Sequence, residues 1–124
     1  MQMQKSGKKY PKRGDFYISY LGPAFGREIH KKRPVLIISS DIYNRGTHYA
    51  VVIPASSIVP KVIGPEMVFL GKLMGFNKKS VLLPLFVRSI DQQRLAKKIG
   101  TLPKERLLEV EESLKLVLGL TPLT

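Results

Sequence analysis

Residues 26–33 read GREIHKKR: one carboxylate, Glu28, stands among four cations, Arg27, Lys31, Lys32 and Arg33, with His30 between them. Neighbouring positive charge favours the ionised form of Glu28. Two chemistries fit such a cluster. A surface salt bridge would be worth little. The functional reading is a carboxylate base beside a phosphate clamp. Arg33 directly precedes Pro34 and the apolar run VLII, which reads as a strand buried on both faces. Folding gains nothing from cations at the mouth of a buried strand, whereas a rigid strand can aim one. A guanidinium offers two coplanar donors to a phosphoryl group, which an ammonium cannot. His30 has a pKa range suited to proton transfer near neutral pH. His30 and His48 are the two histidines and there is no cysteine. The chain thus lacks the usual zinc-ligand sets and disulfides. No glycine-rich phosphate loop or Ser–His–Asp order is present, and no metal or cofactor is expected.

Charge points to the same class of ligand. Twenty-one Lys and Arg against nine Asp and Glu give +12. The excess is uneven: residues 1–100 hold 18 cations and five acids, residues 101–124 three and four. Such an excess repels itself and steers polyanions to the surface, and solubility needs far less. A nucleic acid or an acidic protein is the expected partner. Tyr17, Tyr20, Phe25, Tyr43 and Tyr49 lie in the basic half; they either stack on unpaired bases or fill a small core. No apolar run approaches the roughly 18 residues of a membrane span. The basic N-terminus lacks the apolar stretch of a signal peptide. No membrane is expected as a partner, and the expected location is the cytoplasm.

These groups need a scaffold. A chain of 124 residues, 44% hydrophobic, suits one domain. Residues 1–13, with five cations, read as a basic arm, and residues 14–124 as the domain. GDFYISY alternates like a half-buried strand. PVLIISS, HYAVVIP, EMVFL and SVLLPLFV are further strands, with Pro84 marking a bulge or an edge. DIYNRGT reads as a turn, and DQQRLAKK as a short helix capped by Asp91. From Pro103, Leu107, Val110, Leu114 and Val117 recur at helical spacing. Thr101 is the expected N-cap, and Gly119 the expected stop. Successive short strands followed by a terminal helix predict a mainly β fold: a small antiparallel barrel or rolled sheet with the helix packed on it.

On these residues the chain resembles the MazF/PemK (Kid) endoribonuclease toxins. RGDFYISYLGPAFGREIHKKRPVLIISSDIYN is similar to their start: an RGD-type strand entry, a loop with Gly-x-Glu, and Arg-Pro opening a buried strand. The likeness continues through VVIPASS and resumes at VRSIDQQRLAKKIGTL and the closing helix. It implies a CcdB/MazF-like, SH3-like barrel, a homodimer, and metal-independent cleavage of single-stranded RNA at short sequences. It also implies an antitoxin whose acidic segment occupies the RNA groove. By position it implies that Glu28 is the base, that Arg33 holds the phosphate and that Ser56, usually threonine in the family, supplies a hydroxyl, with Ser57 beside it. Arg88 and Asp91, in RSID, are implied near the groove. Arg27, His30, Lys31 and Lys32 would add RNA affinity, although the resemblance carries no histidine at position 30. The implied reaction is attack by the substrate's 2′-hydroxyl, giving a 2′,3′-cyclic phosphate and a 5′-hydroxyl. The chain departs from the family at Leu85 and Phe86, where relatives often carry a polar pair. Two further readings fit the composition: a non-catalytic RNA- or DNA-binding barrel, and a CcdB-like toxin acting on gyrase through its C-terminal residues.

Overall fold

A computed structural model describes residues 9–23, 26, 31–72 and 76–121. Seven strands, β1 (Asp15–Tyr20), β2 (Lys32–Ile37), β3 (Tyr49–Ser56), β4 (Val68–Gly71), β5 (Ser80–Leu82), β6 (Arg88–Asp91) and β7 (Leu95–Thr101), pair antiparallel throughout. Among the described residues two α-helices accompany them, α1 (Asp41–Gly46) and α2 (Lys104–Val117). The strand order is β4-β5-β3-β2-β1-β7, with β6 also paired to β3. The sheet curls into an incompletely closed barrel, and α2 covers one side. The mainly β expectation holds.

Strand β3 organises this curl. It pairs with β2 along one edge. Along the other, its first half pairs with β6 and its end with β5. Pro54 lies where the partner changes, and its carbonyl accepts from the Leu83 N–H at 3.0 Å. On that edge the ladder is interrupted, so the N–H that proline lacks is not required there.

Alternation along β2 and β3 feeds two cores. Leu36, Ile38, Ile53 and Ala55 join Phe16, Leu82 and Val110 beneath α2. Val35, Ile37, Ala50 and Val52 join Leu21 and Ile90 in the second cluster, with Tyr17 and Leu95 packed against it. Burial pushes the Tyr17 phenol above its usual pKa, and the nearby Asp15 carboxylate adds to the shift.

Four local expectations are corrected. Residues 41–46 form a helical turn, because Asn44 is fully buried and its side chain bonds Ser39 through both ends. Asp91 does cap a helix, accepting from the Gln93 N–H, but only the 3-10 turn Gln92–Arg94 forms. Pairing with β1 then draws residues 95–101 into the sheet as an edge strand. Its Lys97 and Lys98 suit an edge, where charge discourages further strand pairing. After β5 the chain at Pro84–Phe86 turns as a 3-10 helix rather than continuing as a bulged strand. The N-cap of α2 is Pro103, because the Thr101 hydroxyl donates to Asp15 Oδ1 at 3.0 Å instead. Gly119 ends α2 as expected. Its φ of 73° lets its N–H reach the Leu116 carbonyl while Leu120 bonds Lys115, the Schellman pattern.

The expected RGD entry is a structural clip. Arg13 donates to the Ile38 carbonyl and to Glu111 of α2, at 3.0 and 2.6 Å. Gly14, at φ 94°, bonds Ile37 on one side and Leu102 on the other. The buried carboxylate of Asp15 accepts from Thr101 and the Lys12 N–H, and Lys98 lies 3.5 Å away. The fold therefore engages the chain before residue 14. Asp15→Ala removes a buried charged acceptor from the Thr101 hydroxyl and the Lys12 N–H and is expected to cost about 1.5–3 kcal/mol. Urea unfolding measures this, with Lys9→Ala, at an exposed position, as the neutral comparison.

Candidate active site

The recorded β2–β3 pairing ends at Val35 and Pro54. Pro34 would face Ala55 next, and it has no N–H to donate. Beyond it the two strand ends line a groove of about 310 Å³. Lys32 and Arg33 come from β2, Ser56 and Ser57 from the end of β3, and Lys78 from the approach to β5. Continuing the register two residues past Val35 and Pro54 brings Arg33 opposite Ser56. On its other side Arg33 pairs with Ser19 of β1. Neighbours across a sheet share a face, so three adjacent strands carry Ser19, Arg33 and Ser56 in a row. The guanidinium is thus rooted in a strand held on both edges, while the residue itself remains half-exposed.

Ser56 is buried, and its Oγ accepts from the Ile58 N–H at 3.1 Å. That bond fixes the hydroxyl, and among the described residues nothing accepts from it. Its proton can therefore be donated to a phosphoryl oxygen. Lys31 sits where the loop after β1 returns. Its N–H reaches the Gly22 carbonyl and its carbonyl accepts from the Leu21 N–H, at 3.1 and 3.0 Å. Its φ is 65°, a left-handed conformation unusual for lysine.

Of the expected site residues, Arg33, Ser56, Lys32 and Ser57 come together at the groove, with Lys31 just before them. Arg88 and Asp91 stand on β6 and line other cavities. The Arg88 side chain donates to the Leu21 carbonyl at 3.3 Å, and Asp91 caps the following turn. Glu28, Arg27 and His30 lie outside the described residues, as does Phe25. Among the aromatics, Tyr17 packs in the fold, while Tyr20, Tyr43 and Tyr49 are exposed. Lys78 and Asn77 were missed because GFNKKS reads as a connecting loop. Its paired lysines directly before a strand were the available signal. Among the described residues no three His, Cys, Asp or Glu side chains gather as a metal site. Among the described residues no helix is long and apolar enough to cross a membrane.

A curled, basic antiparallel sheet with a rooted guanidinium, lysines and a fixed hydroxyl around an open furrow suits an extended phosphate-bearing chain. Residues 12–118 match the model of the PemK-like, MazF-like toxins of type II toxin–antitoxin systems, and the chain belongs to that family. It is 40% identical over 110 residues to Endoribonuclease EndoA of Bacillus subtilis (strain 168), covering 88% of this chain and 95% of that one. It is 33% identical to Endoribonuclease MazF of Staphylococcus epidermidis, covering 88% and 92%. The crystal structure of MazF from Deinococcus radiodurans superposes with a TM-score of 0.78 at 28% identity, covering 90% and 99%. MazF in the MazE–MazF complex from the same organism gives 0.74 at 28% identity, covering 92% and 100%.

Lys31→Gly is expected to stabilise the fold by about 0.5–1 kcal/mol, because glycine adopts the left-handed conformation without strain. The same change removes a cation at the mouth of the groove and is expected to weaken RNA binding, with a shallower salt dependence. Thermal unfolding and binding titrations at two salt concentrations measure the two effects.

Proposed function

We propose that this chain is an endoribonuclease toxin that cleaves single-stranded RNA without a metal ion. The observation that carries the mechanism is the cross-strand placement of Arg33 and Ser56 at one groove. The substrate's 2′-oxygen attacks the adjoining phosphorus, the P–O5′ bond breaks, and a 2′,3′-cyclic phosphate and a 5′-hydroxyl are released. The 2′-proton passes to a base, and the leaving O5′ takes up a proton. As phosphorus becomes pentavalent, negative charge builds on its equatorial oxygens. Two parallel guanidinium donors meet that charge better than a point cation does. The Ser56 hydroxyl donates to the same phosphate. Lys32, Lys78 and Ser57 hold the flanking backbone. Glu28 is the proposed base, on the resemblance of the Gly-x-Glu loop alone.

The +12 charge supports an acidic partner, as does membership in a toxin family of toxin–antitoxin systems. The relative from D. radiodurans is found in a complex with MazE. The proposed antitoxin lays an acidic segment over the groove and excludes RNA by occupying the same cations. Homodimerisation is proposed on the family resemblance.

The test is incubation of long single-stranded RNA with purified protein in excess EDTA, followed by analysis of the ends. Arg33→Ala is expected to slow cutting on the order of 10²–10³-fold, the size of losing one aimed donor. Ser56→Thr should retain activity that Ser56→Ala loses. Cutting of an RNA with 2′-deoxyribose at the mapped cut position would contradict the mechanism.

A further inference from the structure

The Ser19 hydroxyl takes no part in the reaction above. Ser19 exposes no surface to solvent, and among the described residues its Oγ is the one buried side-chain polar atom without a hydrogen-bond partner. Burying a hydroxyl unpaired costs free energy that an alanine at the same place would not cost. Serine therefore destabilises the free fold at this position. A partner that arrives in another state of the molecule gives the hydroxyl a use.

Its neighbours identify that partner. Ser19 lies two residues from Tyr17 on β1 and shares its face, the face of the second core. Across the sheet it pairs with Leu95 of β7 on one side and with Arg33 of β2 on the other. Leu95 is apolar. Ser56 stands two strands away, about 9.5 Å off, beyond hydrogen-bond reach. Arg33 stands one strand away, with Cβ atoms about 5 Å apart, and its guanidinium carries five N–H donors. The ladder between β1 and β7 is irregular between Ile18 and Ser19. Bulges of this kind re-aim a side chain beside a site.

We propose that Ser19 is a positioning residue for Arg33: when a phosphate draws the guanidinium, the Arg33 Nε–H donates to the Ser19 Oγ. The N–H groups on the two terminal nitrogens then remain as a coplanar fork for the phosphoryl oxygens. The hydrogen bond stops the fork from rotating about its stem. A contact made with phosphate bound and absent without it favours the bound state alone. The serine thus gives up stability in the free protein to aim the guanidinium in the complex. This rests on the nuclease reading above and adds a residue to its machinery.

Ser19→Ala removes the hydroxyl without crowding, and Ser19→Cys keeps the volume with a much weaker acceptor. Both should cut long RNA in excess EDTA about tenfold more slowly, the size of a lost hydrogen bond to a charged group. The Tm of free Ser19→Ala should nevertheless rise by about 2–4 °C. A serine with a structural role alone would lower both readouts together when removed. In the Arg33→Ala background, Ser19→Ala should slow cutting no further, because the two residues act as one. The contact itself is read by NMR on isotope-labelled protein, with a short RNA carrying 2′-fluorine on every ribose, which has no nucleophile and needs no turnover. Solvent exchange of the Arg33 Nε–H, assigned by its loss in Arg33→Ala, should slow about tenfold on binding in the wild type and not in Ser19→Ala. Protection that depends on Ser19, together with no cutting in EDTA, would sink the nuclease reading and leave the contact standing. Equal Nε–H exchange in the two proteins overturns the proposal, as do losses that add to that of Arg33→Ala, or a lowered Tm with unchanged cutting in Ser19→Ala.

Discussion

Val35, Leu36 and Ile37 of β2 expose no surface to solvent, and strands hold both of their edges. The rest of the molecule is arranged around that constraint. Truncating one such side chain to alanine costs on the order of 2–4 kcal/mol, a large part of the roughly 5–15 kcal/mol that holds a domain of this size together. A one-residue slip would turn Val35 and Ile37 toward the wrong core, and every other side chain with them. The register is therefore fixed, and Arg33, two residues before Val35, is fixed with it. Pro34 removes one ladder donor and Pro54 sits at a change of partner. Pairing stops just short of Arg33 and Ser56, and the groove opens there.

The division of charge follows from the same plan. The barrel carries the cations, while α2 carries the acids Glu105, Glu109, Glu111 and Glu112, with Glu105 in the first turn, where the helix dipole favours it. Glu111 is also spent internally, as the partner of Arg13. The positive field thus belongs to the sheet and its loops. A polyanion drawn by that field meets Lys32, Arg33 and Lys78 at the groove. Under the proposed function, an acidic antitoxin and an RNA would compete for that one surface.

Where hydrophobic period dominates, the sequence was legible. The doubly buried β2 and the helical spacing of Leu107, Val110 and Leu114 both emerged as read, and Gly119 stops α2 at the expected residue. Where a single distant contact decides, it was not. Asn44 reads as a turn residue until its burial against Ser39 is seen. Thr101 reads as a cap until Asp15, 86 residues away in the chain, claims its hydroxyl. DQQRLAKK has helical composition, and only pairing with β1 makes most of it a strand. At the site, Arg33 was legible because Arg-Pro before a buried run has a mechanical meaning. Lys78 was not, because its place in the groove depends on β5 reaching the end of β3.

The central claim is that the Arg33 guanidinium bears the charge of the pentavalent phosphorus. Replacing each non-bridging oxygen of the scissile phosphate with sulfur, as separate Rp and Sp substrates, probes that contact directly. With the wild-type chain, one diastereomer should be cleaved about tenfold or more slowly than the other, because sulfur accepts poorly from an aimed donor. In Arg33→Ala that discrimination should disappear. Discrimination of the same size in both proteins would place the charge-bearing contact elsewhere and contradict the role given to Arg33.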